Sequence, residues 1–294
     1  MDALDALLAT QDGVATTGQL LELLGRRRLE TLIDAGNLVK VWTGVYAPPE
    51  VDDLTRLRGL DLRAGQRVPI CLATAARAYG FDTEDEVDLH VLNPAYGQLR
   101  RADGLVIHRR EGAPLRMIEG RLATTPAWTA VEVARSLRRP RALATLDLAL
   151  RTGTCNRQDL HMAAVEQFGR RGIVHVRELI PLAEAAAESA MESEARLVMH
   201  DHALPRPELQ HRIVDRDGIT WRVDFAWPDR RLAVEYEGFD YHSSPDDLRH
   251  DRRKRNALSR INWRVMSIVA DDVRKRPAEM ARDIATDLRA RAAA

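Results

Sequence analysis

Lysine is nearly missing from this 294-residue chain: Lys40, Lys254 and Lys275 are the only three among 44 basic residues, and the others are arginine. A GC-rich genome accounts for such a bias. Whatever its origin, arginine's planar fork suits phosphate oxygens better than an ammonium group does, so the places where arginines cluster matter. Cysteine is as scarce. Cys71 and Cys155 lie far apart in dissimilar settings, which excludes a disulfide framework and a cysteine-based zinc site and suits a reducing cytoplasm. No apolar run approaches the ~18 residues of a membrane span. The opening Met1-Asp2-Ala3-Leu4-Asp5 is acidic and helical in pattern, whereas a secretory signal starts basic and then runs apolar. There is no excess of either charge: 44 acidic residues balance the 44 basic ones, so global charge does not advertise nucleic acid. What is present is a globular balance, 45% hydrophobic and 30% charged, which excludes disorder. At ~150 residues per domain the chain has room for two or three domains. A chain of this size buries roughly three quarters of its unfolded surface and needs no covalent staple.

Residues 1–50 read as one unit. Leu4, Leu7 and Leu8 stripe a first helix, and Val14-Ala15-Thr16 is a short extended piece. Thr17 is placed to cap a second helix carrying Leu20, Leu21, Leu23 and Leu24. Gly25 breaks it, and Arg26-Arg27-Arg28 opens a third helix with Leu29, Leu32 and Ile33 as its buried face. Residues 38–41 and 44–46 then read as two short strands. Helix, helix, glycine turn, helix and hairpin is the order of a winged helix-turn-helix. Residues 51–187 are a mixed α/β middle region. It has a helix from Leu72 to Tyr79, strands over Val87–Leu92 and Leu105–His108, an extended Leu122–Thr125, and helices after Pro126 and near 142–151, 156–168 and 174–188. The alanine-rich Ala183–Ala190 reads as a good helix former.

From residue 188 to 294 the pattern changes. A helix from Glu188 to Asp201 is followed by strands over Leu209–Val214 and Trp221–Ala226, joined by a hairpin turn at Asp215–Gly218. A third strand covers Arg231–Glu237. A long helix runs from Pro245 to about Arg260, a fourth strand over Arg264–Ile268, and Asp271-Asp272 caps a last helix. The whole is mixed α/β.

The residues that could carry chemistry gather in this last part. Asp224 sits near a strand end. Glu235 and Glu237, two apart on the next strand, share a face opposite to Val234 and Tyr236. Clustered carboxylates repel one another unless a cation or proton offsets them, and such oxygen donors suit magnesium or manganese. A metal there activates water and offsets charge on a phosphorane-like transition state. Glu192 stands on the preceding helix, His242 follows, and Arg249, Arg252, Arg253, Lys254 and Arg255 are placed to meet phosphates. The bland readings are solvent-facing acids at strand ends and a solvated basic helix. At the other end of the chain, Arg26, Arg27 and Arg28 oppose the dipole of their helix, which favours an anionic partner over a merely solvated helix start. His200-Asp201-His202 falls at a helix end, where histidine suits the dipole, and Cys71 reads as a core thiol. There is no Walker or dinucleotide glycine loop.

Val223–Pro228, Ala233–Gly238, His242, Arg249–Leu258 and Trp263-Arg264-Val265, in that order, resemble the endonuclease-like domain grouped with very-short-patch-repair nucleases of the PD-(D/E)XK superfamily. The resemblance covers roughly 188–275. It implies a C-terminal PD-(D/E)XK-type nuclease fold, with Asp224 and Glu235 as metal ligands, Glu192 as the helix carboxylate and His242 as an assisting histidine. Glu237 takes the position of the superfamily lysine, for which Lys254 is a candidate replacement, and the zinc site of the mismatch-repair enzymes is absent. The N-terminal unit resembles the winged helix of the AbiEi abortive-infection antitoxins at Gly13–Thr17, Gln19-Leu20, Gly25, Leu32, Gly36, Leu38-Val39 and Gly44-Val45-Tyr46. Ala73–Gly80 and Thr124-Thr125-Pro126 in the middle region are similar to the same family. That resemblance implies DNA binding and makes a cognate toxin a candidate partner. The expected function is therefore metal-dependent DNA hydrolysis, favoured by Asp224 with Glu235. The alternative is a transcriptional regulator or antitoxin whose nuclease fold is a scaffold, favoured by Glu237.

Overall fold

The computed structural model describes residues 3–81, 84–94, 99–238 and 245–291, with the side chains of 245–248 excepted. The fold is mixed α/β. The chain divides into two units, Met1–Thr129 and Ala130–Ala294. No helix among the described residues is long and apolar enough to cross a membrane.

The first unit starts with α1 (Ala3–Thr10), β1 (Ala15–Thr16), α2 (Thr17–Leu24), α3 (Arg26–Asp34), β2 (Val39–Trp42) and β3 (Val45–Ala47). The three strands pair in the order β1-β3-β2. This is the expected winged helix-turn-helix. The cap of α2 is Thr16, one residue before Thr17. The Gln19 N–H donates to its hydroxyl, while its own N–H donates to Gln19 Oε1 at 2.9 Å, a reciprocal box that Thr17 has no partner to build. Gly25, at φ +69°, alone joins α2 to α3. Leu8, Leu20, Leu29 and Leu38 form the buried centre, with Leu32 and Ile33 packed on it. The hairpin is tied to α4 (Asp53–Ala64) by Trp42, whose indole N–H donates to the Arg56 carbonyl at 2.7 Å. Gly59 allows that approach, since a Cβ there would lie 2.9 Å from Trp42 Cδ1.

Next come α5 (Leu72–Tyr79), β4 (Leu89–Leu92), β5 (Leu105–His108), β6 (Leu115–Ile118), β7 (Arg121–Thr124) and α6 (Pro126–Ser136). β4 and β5 run parallel and β6 and β7 antiparallel, and the single residue Ile70 bridges to both Val91 and Ala123. β6 has no counterpart in the sequence reading. Its short run Leu-Arg-Met-Ile is mostly exposed, so it lacks the alternation of a half-buried strand, and its turn uses Glu119 and Gly120 at positive φ. Asp61, on α4, accepts two bonds from the Arg121 guanidinium, at 3.0 and 2.7 Å, and one from the Val68 N–H at 2.7 Å.

The second unit continues with α7 (Arg139–Arg151), α8 (Arg157–Glu166), α9 (Ile173–Leu179) and a 3-10 turn at Ile180–Leu182. The alanine-rich stretch expected to be helical is not. Residues 183–189 run without helix, and α10 (Ala190–Asp201) starts at its N-cap Ser189. Tertiary hydrogen bonds override the helix propensity. The Glu184 N–H donates to Asp147, and the carbonyls of Leu182, Ala183 and Ala187 accept from Arg196, Arg157 and Arg151. Then follow β8 (Glu208–Val214), β9 (Thr220–Trp227), β10 (Leu232–Tyr236), α11 (Pro245–Arg260), β11 (Arg264–Ile268), α12 (Ala270–Arg274) and α13 (Pro277–Ala290). The last expected helix is thus two, broken before Pro277, which cannot continue the hydrogen-bond ladder. The sheet order is β11-β10-β9-β8, antiparallel except for the parallel pair β10–β11. One face packs on α10, α12 and α13 through Phe225, Leu232, Val234, Met199 and Ile284, and the other on α11 through Val223, Ala233 and Leu258.

Removing one partner of a buried ion pair leaves the other charge uncompensated. The Arg121 side chain is only 7% exposed, so Asp61→Ala is expected to destabilise the fold severely in urea denaturation. The magnitude should be about 3–5 kcal/mol.

Candidate functional site

β9 and β10 pair antiparallel through Ala233↔Ala226 and Val234↔Phe225. Continuing that register sets Glu235 beside Asp224, and both line one cleft of about 460 Å³. The ladder ends there: the Tyr236 N–H donates to Asp224 Oδ2 at 2.9 Å in place of a carbonyl. Glu192 reaches the same cleft from the first turn of α10. Its Oε2 accepts from the Glu188 N–H and from Gln210 Nε2, both at 2.9 Å, and its own N–H donates to Ser189 Oγ at 3.1 Å. Gln210 Nε2 also lies 3.4 Å from Asp224 Oδ1, so one amide spans two carboxylates.

α11 supplies the cations. Asp251, Lys254 and Arg255 share its inner face with the buried Leu258, as a three-to-four residue spacing requires. Lys254 forms an ion pair with Glu235 and donates to the Arg222 carbonyl at 2.5 Å. Arg255 pairs with Glu237 and donates to Ser267 Oγ at 2.8 Å. Arg249, Arg252 and Arg253 are carried on the same helix, with Arg252 and Arg253 exposed. His242 lies outside the described residues. Arg222 forks onto Glu188 at 3.0 and 2.7 Å at the rim.

Burial pushes the carboxyls of Asp224, Glu192 and Glu235 above the ordinary carboxylate range. The Tyr236 N–H opposes that rise for Asp224, and Lys254 opposes it for Glu235. Among the described residues no group of three or more His, Cys, Asp or Glu is arranged as a ready metal cage. Magnesium does not require one. It keeps several waters and is commonly held by one or two carboxylates. Asp224 and Glu235 fit that donor set, with Lys254 already bonded to one oxygen of Glu235.

In the first unit, Arg26, Arg27 and Arg28 stand at the start of α3 with their side chains turned away from the core, while Leu29 behind them is buried. The two remaining sequence candidates are structural. His202 donates from Nδ1 to the Val198 carbonyl at 2.9 Å and closes α10, and Cys71 is fully buried. The sequence reading missed Gln210, Arg222 and Glu188. The hairpin turn at Asp215–Gly218 fixes the register that places Gln210 across from Asp224, and this was the signal that could have found it.

Residues 68–182 match the family of the AbiEi antitoxin C-terminal domain. That span includes Ala73–Gly80 and Thr124–Pro126, which carried the resemblance in the middle region, and it leaves out the winged helix. The uncharacterized proteins Rv2248 and MT2308 of Mycobacterium tuberculosis are each 54% identical to the chain over 263 residues, 90% of this chain and 97% of each relative. The chain belongs to one family with these mycobacterial proteins. The match to the antitoxin domain family supports the antitoxin alternative in general terms, for the part of the chain that it covers.

A carboxyl whose folded pKa is raised holds its proton to higher pH than the unfolded chain does. Stability therefore falls as pH rises through the raised value, and it recovers on acidification until the unfolded carboxylates near ~4 also protonate. In EDTA, Asp224→Asn is expected to raise the melting temperature at neutral pH and to shrink the gain seen on lowering the pH towards about 5. An unchanged profile in the variant would show that Asp224 carries no such penalty.

Proposed function

We propose that the protein is a DNA-binding regulator of the antitoxin type, with DNA and a cognate toxin as its partners. The observation that carries this reading is the winged helix, whose α3 opens with three arginines outside the core in a chain that also matches the AbiEi antitoxin domain family. A helix N-terminus in a groove meets phosphates and base edges, and guanidinium groups offset there the unfavourable interaction that they have with the helix dipole. The buried leucines behind them leave these side chains without a core role.

A second reading, metal-dependent hydrolysis of DNA, is favoured by the cleft. Asp224, Glu235 and Lys254 stand together there, which supplies a lysine although Glu237 occupies the superfamily's lysine position. In this reading Asp224 and Glu235 would hold magnesium or manganese, which supplies charge compensation at the phosphate and a more acidic water. Glu192 or Glu237 would orient water, Lys254 would contact the scissile phosphate, and His242 would move a proton. Arg249, Arg252, Arg253 and Arg255 would track the backbone on either side.

The regulator reading is tested by electrophoretic shifts with DNA from upstream of the protein's own gene, across a salt series. Replacing Arg26, Arg27 and Arg28 together with alanine is expected to weaken binding and to flatten the salt dependence by about one slope unit for each phosphate that an arginine had neutralised. An unchanged slope would remove α3 from the interface. The nuclease reading is tested by incubating plasmid with magnesium or manganese. Nicking that vanishes in Asp224→Ala supports it, and identical traces for both proteins count against it.

A further inference from the structure

β8 carries an anomaly near its start. Gln210 adopts φ +50°, a left-handed conformation that costs a side-chain-bearing residue free energy in a strand, yet the pairing with β9 continues unshifted from Leu209↔Phe225 to His211↔Val223. The sheet registers the distortion. Trp221 and Val223 pack towards α11, whereas Phe225 and Trp227, at the same two-residue period, pack towards α10 and α13. The two faces exchange at Asp224, the residue across from Gln210. A second cost falls on the same side chain: its oxygen Oε1 is buried with no hydrogen-bond partner among the described residues. Its nitrogen, by contrast, spans Glu192 and Asp224.

Packing does not call for a glutamine here. A glycine would adopt this φ without strain, and an apolar side chain would bury no orphaned oxygen. What only the glutamine provides, with its reach of two methylenes and an amide, is one donor shared by the buried carboxylate of Glu192 and the half-buried one of Asp224, which stand on different elements. We propose that Gln210 is a positioning residue of the cleft, which accepts backbone strain in return for a fixed placement of the Glu192 and Asp224 carboxylates towards a divalent cation. The assignment rests on the hydrolytic reading of the cleft. It adds to that reading a residue on a third element, β8, which makes no part of the superfamily pattern seen in the sequence.

The test compares wild type with Gln210→Gly, Gln210→Asn and Asp224→Ala by thermal melting and by Mn²⁺ affinity, read from water-proton relaxation. Gln210→Gly is expected to melt at or above the wild-type temperature, because strain and orphaned oxygen are both removed, while its Mn²⁺ affinity falls by about 10–100-fold. Asparagine tolerates the left-handed backbone and keeps an amide, so Gln210→Asn is expected to recover part of that affinity. A glycine variant that melts well below wild type and binds Mn²⁺ equally would make Gln210 a structural bridge and overturn the assignment. If wild type binds Mn²⁺ no better than Asp224→Ala, it is the metal reading that falls. The assignment is then decided on the metal-free protein by the carboxylate ¹³C resonances of Glu192 and Asp224. Exchange broadening of both in Gln210→Gly supports it, and two sharp, unshifted resonances overturn it.

Discussion

A carboxylate taken out of water must meet a cation or a full set of hydrogen-bond donors, and this constraint organises the chain. With acidic and basic residues equal in number, the fold meets it by pairing. Asp61 is held by Arg121 in the first unit. In the second, Asp147 is held by Arg196 at 2.6 Å, and Glu194 is forked by Arg274 at 2.8 and 2.7 Å. These pairs also fix backbone: Arg196 and Asp147 together pin the segment that precedes α10 out of the helix its alanines would otherwise form. Against that background Asp224 and Glu192 stand apart. Neither forms a salt bridge with a described residue, and each is met instead by a backbone N–H and the Gln210 amide. A protein that sets an arginine against these other buried acids leaves the two in the cleft under-compensated, the arrangement expected where the missing charge comes from a ligand.

The two halves of the functional account depend on different physics. On α3 the arginines lie outside the core and are opposed to the helix dipole, which is a weak site until a polyanion arrives. In the cleft the acids are buried or half-buried and held, and a cation is built in beside Glu235, since Lys254 is clamped between Glu235 and the Arg222 carbonyl. The built-in lysine serves either reading. It compensates Glu235 in a scaffold, and it places an ammonium group beside the carboxylates in a nuclease.

Much of this was legible in the sequence wherever local pattern and tertiary structure agree. The glycine turn at Gly25, the leucine stripes and the two short strands specify the winged helix. The period-two placement of Glu235 and Glu237 against Val234 and Tyr236 gives the two faces of β10. Lys254 was singled out only by its place in the basic helix, and it pairs with Glu235. What escaped was set by long-range interactions. The alanine-rich 183–189 obeys its partners on α7, α8 and α10 over its propensity, as weak local preferences generally do. β6 is too exposed to show a period. The hairpin register could have set Gln210 across from Asp224, but nothing in Leu-Gln-His-Arg announces its left-handed backbone.

Engagement of DNA through the winged helix is tested most directly by hydrogen–deuterium exchange of the full-length protein with and without its upstream DNA. Protection is expected to concentrate in α3 and the β2–β3 hairpin, because those elements would leave water on entering the groove. Protection confined to α11, with α3 exchanging as it does in the free protein, would contradict this and transfer the DNA interface to the basic helix.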